Sequence, residues 1–212
     1  MADQKTERIY GFGIDTVPKI HAIITARGGS KGIKRKNLYP LNGKPLIYYS
    51  IKSAQLSRYI SKCFVSTEDR EIASVSAGYG AEIIERPAYL ATDTALSNDV
   101  VYHALERMRE WGEFPDYFVL LQPTSPLRTE HHIDESIENM LAHQCNSSIS
   151  VTHAEHSPYK MLTLRDGFLA PLFSKQTLSM PRNSLPPVFR QNGAIYIADS
   201  GKFLETKSFF IE

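Results

Sequence analysis

The sequence is poor in the features of a disulfide-rich, membrane-spanning or nucleic-acid-coating protein. Its two cysteines, Cys63 and Cys145, form no C-x-x-C pair, which argues against a disulfide scaffold or a cysteine zinc site and suits a reducing compartment. No apolar run reaches the ~18 residues that cross a bilayer, and the polar N-terminus lacks a signal-peptide core. Lys and Arg total 24 and Asp and Glu 23, so a net charge of +1 gives no excess for general binding to nucleic acid or membranes. These absences predict a soluble, cytoplasmic protein.

The 212 residues are 42% hydrophobic, enough for one domain of ordinary size with a sizeable core. Short apolar runs predict strands at 20–25, 63–67, 82–84, 117–121, 147–152 and 194–198, and helical spacing predicts helices at 45–56, 69–79, 98–111 and 131–143. This alternation predicts an α/β fold with a mostly parallel sheet and helices on both faces. Because ligands of such sheets bind beyond the carboxyl ends of strands, the loops after residues 25, 67, 84 and 121 are candidate sites.

Between residues 153 and 190 the alternation stops. Five prolines lie there, and Asp166-Gly167 is placed as the turn of a hairpin between 161–164 and 168–170. A surface loop without structure would be unusually long for a compact domain. We therefore expect β structure in this segment and a role in dimerisation or as a lid.

The loop from Arg27 to Asn37 carries the strongest chemical signal. Five of the ten residues from Arg27 to Lys36 are basic, and three glycines lie among them. Glycines let backbone N–H groups approach an anion, and Lys and Arg neutralise its charge. The spacing fits neither a Walker A motif nor G-x-G-x-x-G. The loop is a candidate phosphate site, with a solvated charged turn as the alternative.

Two further polar loops are expected at the same edge of the sheet. Residues 122–128 contain two prolines and several polar side chains, and the plain alternative is a connection that ends with Thr129 as a helix cap. Residues 86–97 form the other loop, and its plain alternative has Ser97 as the cap of the next helix.

Several runs together resemble the acylneuraminate cytidylyltransferases, or CMP-sialic acid synthetases. They are IITARGGSKGIKRKN, LNGKPLIYYSI, VSTED, ERPAYLATDTALS, LLQPTSPLR and FRQNGAIYI, and the resemblance covers residues 20–211 in unbroken order. It implies a Rossmann-like nucleotidyltransferase fold and a homodimer. The implied parts are an N-terminal extension at 1–19, a nucleotide-binding core at 20–152, a dimerisation and sugar-site excursion at 153–190, and a return to the core at 191–212, with the family's C-terminal segment absent.

The implied reaction joins CTP to a nine-carbon 2-keto acid sugar. The anomeric hydroxyl attacks the α-phosphorus in line with the departing pyrophosphate, giving a CMP-sugar, so the enzyme contributes mainly positioning and charge neutralisation. The sugar is a nonulosonic acid such as N-acetylneuraminic, legionaminic or pseudaminic acid. Two alternatives stay open: a nucleotidyltransferase for another sugar such as Kdo, and a CTP-binding protein without turnover because the C-terminal metal site is missing.

The resemblance also assigns residues. Arg27 and Lys36 are the catalytic residues on the triphosphate. The nucleotide-binding positions are Arg27, Ser30, Lys36, Asn37, Arg86, Ala95 and Ser97, of which the last three read cytosine. The sugar-binding positions are Gln122, Thr124, Ser125, Lys160, Arg182, Arg190, Asn192, Tyr196, Phe209 and Phe210, some of them across a dimer interface.

A Mg²⁺ ion that neutralises the triphosphate is expected from the resemblance. The family's metal carboxylates lie in a D-x-D segment beyond the Phe209-Phe210 pair, and this sequence stops at Glu212. The metal ligands are therefore unknown from the sequence.

Overall fold

The computed structural model describes residues 18–211. Its strands are β1 (Ile20–Thr25), β2 (Pro40–Leu41), β3 (Lys44–Pro45), β4 (Ile60–Thr67), β5 (Glu82–Glu85), β6 (Tyr117–Leu120), β7 (Ser147–His153), β8 (Leu162–Arg165), β9 (Phe168–Pro171) and β10 (Phe189–Asp199). Its helices are α1 (Leu46–Leu56), α2 (Arg70–Gly78), α3 (Ser97–Glu110), α4 (Glu130–Ala142), α5 (Lys175–Ser179) and α6 (Ser200–Thr206). Of the predicted N-terminal extension, residues 1–17 lie outside the described part.

The central sheet has six strands in the order β5-β4-β1-β6-β10-β7. Strand β1 pairs in parallel with β4 and β6, and β4 pairs in parallel with β5, whereas β10 runs antiparallel to β6. The predicted mostly parallel sheet is confirmed. Its parallel strands bring the loops after β1, β4, β5 and β6 to one edge.

Helices cover both faces of this sheet, because the side chains of β1 alternate between two apolar clusters. Ile24 packs in one cluster with Ile51 of α1 and Ile137 of α4. Ile23 packs in the other with Leu105 of α3 and Phe203 of α6. All six side chains are fully buried, so each face of the sheet has its own core.

The predicted helices match α1 to α4 to within one residue at each end. Thr129 caps α4 as expected, in a capping box with His132. Ser97 does not cap α3: Leu96 has the extended N-cap backbone, and Ser97 is the first helical residue. The strand predicted at 63–67 begins earlier, at Ile60, and the last strand begins at Phe189 rather than at 194. Among the described helices, none combines the length and apolarity that a bilayer crossing requires.

The described chain divides into two compact units, the second made of residues 151–192 and the first made of the remaining described residues. Within the second unit, β8 and β9 pair as an antiparallel hairpin. Its turn is Asp166-Gly167, whose φ angles of 51° and 81° suit the left-handed conformations of a two-residue hairpin turn. The predicted hairpin is confirmed, while the dimerisation role of 153–190 stays a prediction.

An ion-pair cluster surrounds Glu113 near the start of β1. Its carboxylate lies 2.9 Å from Lys62 Nζ and 3.2 Å from Lys19 Nζ, and these lysines lower the pKa of Glu113 to about 2. A carboxyl group whose pKa is lowered by folding stabilises the native state above its unfolded pKa, and this contribution is lost as pH falls toward the folded pKa. Glu113 therefore favours folding at neutral pH and loses that effect below about pH 4.5.

We expect Glu113→Gln to flatten the acid dependence of the melting temperature. The wild-type melting temperature should fall more steeply than that of the variant as pH drops from about 5 to about 3, because only the wild type can lose the ionised Glu113. The matched control is Glu135→Gln, at an exposed glutamate of α4. If the melting temperatures of wild type and Glu113→Gln fall in parallel as pH drops, the ion-pair cluster does not contribute to the acid dependence of stability.

Candidate active site

A cleft of about 440 Å³ lies at the carboxyl ends of β1, β5 and β6. It brings together the three polar loops that the sequence singles out, namely 27–37, 86–97 and 122–124. The lining residues are Thr25, Arg27, Ser30, Lys31, Gly32, Lys36, Asn37, Arg86, Leu90, Thr92, Asp93, Ala95, Ser97, Val100, Gln122, Pro123 and Thr124. Every predicted nucleotide-binding residue is in this set, together with Gln122 and Thr124 from the sugar set.

Hydrogen bonds hold the basic loop in a defined shape. At its start, Gly28 N donates to Glu68 Oε1 at 2.7 Å. Near its end, Asn37 Nδ2 donates to the carbonyl oxygen of Arg27 at 3.0 Å, which closes the loop on itself. Asn37 is buried and therefore acts first as a structural residue of the loop. Hydrogen bonds thus hold the two ends of the loop, and residues 31–34 between them are exposed.

Arg35 anchors the same loop to the start of α2. Its backbone is left-handed, with φ of 56°, and its guanidinium donates to both carboxylate oxygens of Asp69 and to Glu71. Arg35 lowers the pKa of Asp69, so this carboxylate stays ionised at neutral pH. Asp69 also caps α2 by accepting from the backbone N–H groups of Glu71 and Ile72. Arg35 is therefore a structural cation, whereas its neighbour Lys36 lines the cleft.

Gly28 lies too close to Asp69 to carry a side chain. A Cβ atom there would come within 2.4 Å of Asp69 Oδ2 and 3.0 Å of Cγ. Asp69 cannot turn away without losing its ion pair with Arg35 and its cap of α2.

We expect Gly28→Ala to lower the free energy of unfolding by about 1–3 kcal/mol, because the added methyl group would clash with Asp69. Denaturant titration checks this, and Gly29→Ala is the matched control because nothing lies within 4 Å of a Cβ there. Equal stability of the two variants would contradict the account.

Cations dominate the described lining of the cleft. Arg27, Lys31, Lys36 and Arg86 line it, and Asp93 is the acidic residue in that lining. Asp93 bridges two of the cations, with Arg27 Nη1 at 2.9 Å from Oδ1 and Lys31 Nζ at 2.7 Å from Oδ2. Lys31, and then Arg27, lowers the pKa of Asp93, so this carboxylate stays ionised at neutral pH. The remaining positive charge suits a polyphosphate anion.

Arg86 is fixed by backbone carbonyl groups. Its Nη2 donates to the carbonyl oxygen of Ser66 and its Nη1 to that of Leu90, at 3.5 Å. The side chain is buried, and burial is the main cause of its lowered pKa. Within the described residues its Nε has no hydrogen-bond partner. Arg86 therefore joins β4 to the 86–97 loop and leaves one polar atom unsatisfied beside the cleft.

Arg128 positions the third loop. Its guanidinium donates to the carbonyl oxygens of Gln122 at 3.2 Å and Ala194 at 2.7 Å, and to Ser50 Oγ at 2.6 Å. Burial lowers the pKa of Arg128 to about 10, which still leaves it charged at neutral pH. Arg128 thus connects α1, the 122–128 loop and β10. Ser125 from the predicted sugar set lies in this loop but outside the lining of the cleft.

The other predicted sugar residues have varied surroundings. Tyr196 contacts Phe209 with ring centroids 5.1 Å apart. Phe209 is buried against Phe118 and Phe203, as a core anchor would be, whereas Phe210 is 75% exposed. None of these side chains belongs to the described lining of the cleft.

The remaining sugar predictions, Lys160, Arg182, Arg190 and Asn192, belong to the second unit. Lys160 Nζ donates to two carbonyl oxygens at the end of α5, which holds it within that unit. Arg190 pairs with Glu155 at 3.1 Å, and Arg182 is exposed. The role of these four residues in sugar binding stays a prediction.

The described residues do not fit a protein-built magnesium site. No group of three or more His, Cys, Asp or Glu side chains lies together within residues 18–211. In the cleft, both oxygens of Asp93 are engaged by Arg27 and Lys31. We therefore derive no step of the chemistry through a metal held by these side chains.

Sequence reasoning missed Lys31 and Asp93 as residues of the cleft, and Arg128 as the residue that positions the third loop. Lys31 lies in the same basic run as Arg27, so its charge could have indicated that it is a residue of the phosphate site. For Asp93 and Arg128, only the fold shows which groups they meet.

Comparison with known proteins shows similarity to cytidylyltransferases over most of the chain. A family model for cytidylyltransferases matches residues 21–196. The N-acylneuraminate cytidylyltransferase of Escherichia coli O18:K1:H7 is 37% identical over 195 residues, which are 91% of this chain and 45% of that protein. The CMP-N,N'-diacetyllegionaminic acid synthase of Legionella pneumophila is 34% identical over 197 residues, covering 92% of this chain and 84% of that protein.

The chain therefore spans less than half the length of the N-acylneuraminate cytidylyltransferases that it matches. Among solved structures, a CMP:2-keto-3-deoxy-manno-octonic acid synthetase complexed with CTP superposes with a TM-score of 0.68 at 16% identity, covering 92% of this chain and 79% of that one. That likeness confirms the nucleotidyltransferase fold. The family match over most of the sequence confirms the predicted resemblance, and the chain belongs to the cytidylyltransferase family.

Proposed function

We propose that this protein transfers the cytidylyl group of CTP to a nonulosonic acid of the sialic type and releases pyrophosphate. The observation that carries the proposal is the cleft itself, where a basic loop lies with two polar loops at the carboxyl edge of a mostly parallel sheet. The names of the relatives support the choice of substrates, since N-acylneuraminate, legionaminic and pseudaminic acid enzymes all match at 30–37% identity.

In this reaction the anomeric oxygen of the sugar forms a bond to the α-phosphorus of CTP. The bond from that phosphorus to the bridging oxygen breaks, its electron pair leaves with pyrophosphate, and the hydroxyl proton passes to solvent. Arg27, Lys31 and Lys36 neutralise the charge that grows on the leaving phosphates. Ser30 lines the cleft beside these cations, and Asn37 closes the loop that carries them. Positioning and electrostatics therefore provide the rate enhancement.

The 86–97 loop supplies the cytosine pocket in this proposal. Arg86, Ala95 and Ser97 all line the cleft, and Ser97 does not cap α3. A pocket that hydrogen-bonds one base edge rejects other bases, because they leave buried polar groups unpaired. Gln122 and Thr124 provide the acceptor side, where the sugar approaches the α-phosphate, and Ser125 follows them in the same loop outside the lining.

Magnesium remains a prediction from the resemblance. Mg²⁺ is commonly bound through substrate phosphates and water with few protein carboxylates, and when bound it would neutralise triphosphate oxygens. A cytoplasmic location is likewise proposed, because CTP is available there and because Cys63 and Cys145 are both free thiols.

The second unit supplies a dimer interface in this proposal. It exposes large apolar side chains along its hairpin, including Leu164, Phe168 and Leu169 at 69–78% exposure. Contiguous exposed apolar surface favours burial against another protein, and we infer that this protein is a second copy of the same chain.

Light scattering tests this inference. We expect the wild type to have the mass of a dimer and Phe168→Glu to have the mass of a monomer, and a monomeric wild type would contradict the inference. Lys160, Arg182, Arg190 and Asn192 would contribute to the sugar site in that dimer.

A substrate panel tests the proposed function. Purified protein with MgCl₂ is given each combination of CTP, UTP or ATP with N-acetylneuraminic, legionaminic, pseudaminic acid or Kdo, and pyrophosphate release is measured. We expect release that requires CTP and one of the three nonulosonic acids. Preference for Kdo would support the other sugar alternative, and calorimetric CTP binding without product from any sugar would support the binding protein without turnover.

A further inference from the structure

Asp93 occupies a distinctive place in the cleft. It follows the short 3-10 turn Ala88–Ala91 and reaches across to the basic loop, where one oxygen contacts Arg27 and the other contacts Lys31. Its own loop is closed by local contacts, with Ala95 N donating to the carbonyl oxygen of Thr92 at 3.3 Å. The carboxylate thus takes positions that phosphate oxygens would take if these cations bound a triphosphate.

We propose that Asp93 is an internal anion, which orders Arg27 and Lys31 when no polyphosphate is bound and competes with polyphosphate for them. The proposal rests on the proposed function for the identity of the ligand, but its competition step applies to any polyphosphate.

The electrostatics make this exchange feasible. Asp93 and Lys31 have side chains that are 46% and 79% exposed, so their ion pair is screened by water and contributes little to folding. A triphosphate carries several negative charges and offers more oxygens than one carboxylate. It can therefore replace Asp93, although the free energy of breaking the two ion pairs reduces its net affinity. The same competition would help pyrophosphate to leave after the reaction.

The competition predicts that removing the charge of Asp93 tightens polyphosphate binding. Asp93→Asn keeps the shape of the side chain, so the fold should be unaffected, and a melting curve verifies this. We expect calorimetry in EDTA to give a Kd for tripolyphosphate roughly three- to tenfold lower in Asp93→Asn than in wild type. The matched control is Asp99→Asn, which removes the same charge from a carboxylate 3.6 Å from Lys207, outside the lining of the cleft.

The outcomes separate this proposal from the proposed function. An unchanged or weaker affinity of Asp93→Asn for tripolyphosphate would overturn the proposal that Asp93 is an internal anion. An equal gain of affinity in Asp99→Asn would also overturn it, as would a wild type that binds no tripolyphosphate. If wild type binds tripolyphosphate but shows no preference for CTP over ATP, the cytidylyl function fails. The internal anion would still be supported in that case by a lower Kd in Asp93→Asn alone.

Discussion

Replacing Arg27 or Lys36 by alanine is expected to lower kcat/KM for CTP by about 10²–10³-fold. Both side chains line the cleft. Each substitution removes positive charge from the place where, in the proposed reaction, the leaving pyrophosphate develops negative charge. The melting temperature should change by no more than about 3 °C, because the ion pair of Arg27 with Asp93 is partly exposed. Steady-state kinetics and thermal unfolding of the same preparations measure both quantities.

Lys34→Ala is the matched control for this prediction. Lys34 belongs to the same basic run but is exposed and lies outside the lining of the cleft. Its activity should stay within about threefold of wild type, since an exposed charge outside the cleft is screened by salt. Little loss of activity in the Arg27 and Lys36 variants would instead favour a solvated charged turn, and a large loss of stability would indicate a structural role.

Replacing Arg128 by methionine is expected to lower the free energy of unfolding by about 3–5 kcal/mol. The carbonyl oxygens of Gln122 and Ala194, together with Ser50 Oγ, would lose a charged donor in a buried environment. For a chain of this size the melting temperature should fall by about 10 °C or more. Arg128→Lys should also be destabilised, because one ammonium group cannot reach three acceptors in the geometry of a guanidinium.

The comparison for Arg128 is Arg165→Met, at an exposed arginine of the hairpin. This substitution should change the free energy of unfolding by less than about 0.5 kcal/mol. Chemical denaturation of the three variants provides the ranking. If Arg128→Met were as stable as Arg165→Met, the folded position of the 122–128 loop would not depend on the buried guanidinium of Arg128. That result would contradict the positioning role of Arg128.

Much of the fold follows from the sequence because its strands and helices carry strong local patterns. Ile23 and Ile24 are apolar neighbours on β1, and only a strand buried on both faces places each in a different core. Apolar residues recur at helical spacing around Leu105 on α3 and around Ile137 on α4, and this pattern predicts which face of each helix is buried. The start of β4 at Ile60 was harder to predict, because the consecutive polar residues Ser61 and Lys62 interrupt the apolar run.

The candidate site was only partly predictable. The basic loop could be found from composition, since Arg27 and Lys36 stand in a dense run of charge and glycine. Long-range contacts decide the rest. Sequence spacing alone does not show that Asp93 bridges Arg27 and Lys31, or that Arg128 reaches Ala194, which is 66 residues away along the chain.

The central claim is that the loop from residue 27 to residue 37 binds the triphosphate of CTP. A crystal soaked with CTP tests it most directly. We expect electron density for the phosphates beside Arg27, Lys31 and Lys36, with the base against the 86–97 loop. Well-ordered nucleotide density elsewhere on the molecule, with this loop unliganded, would contradict the account.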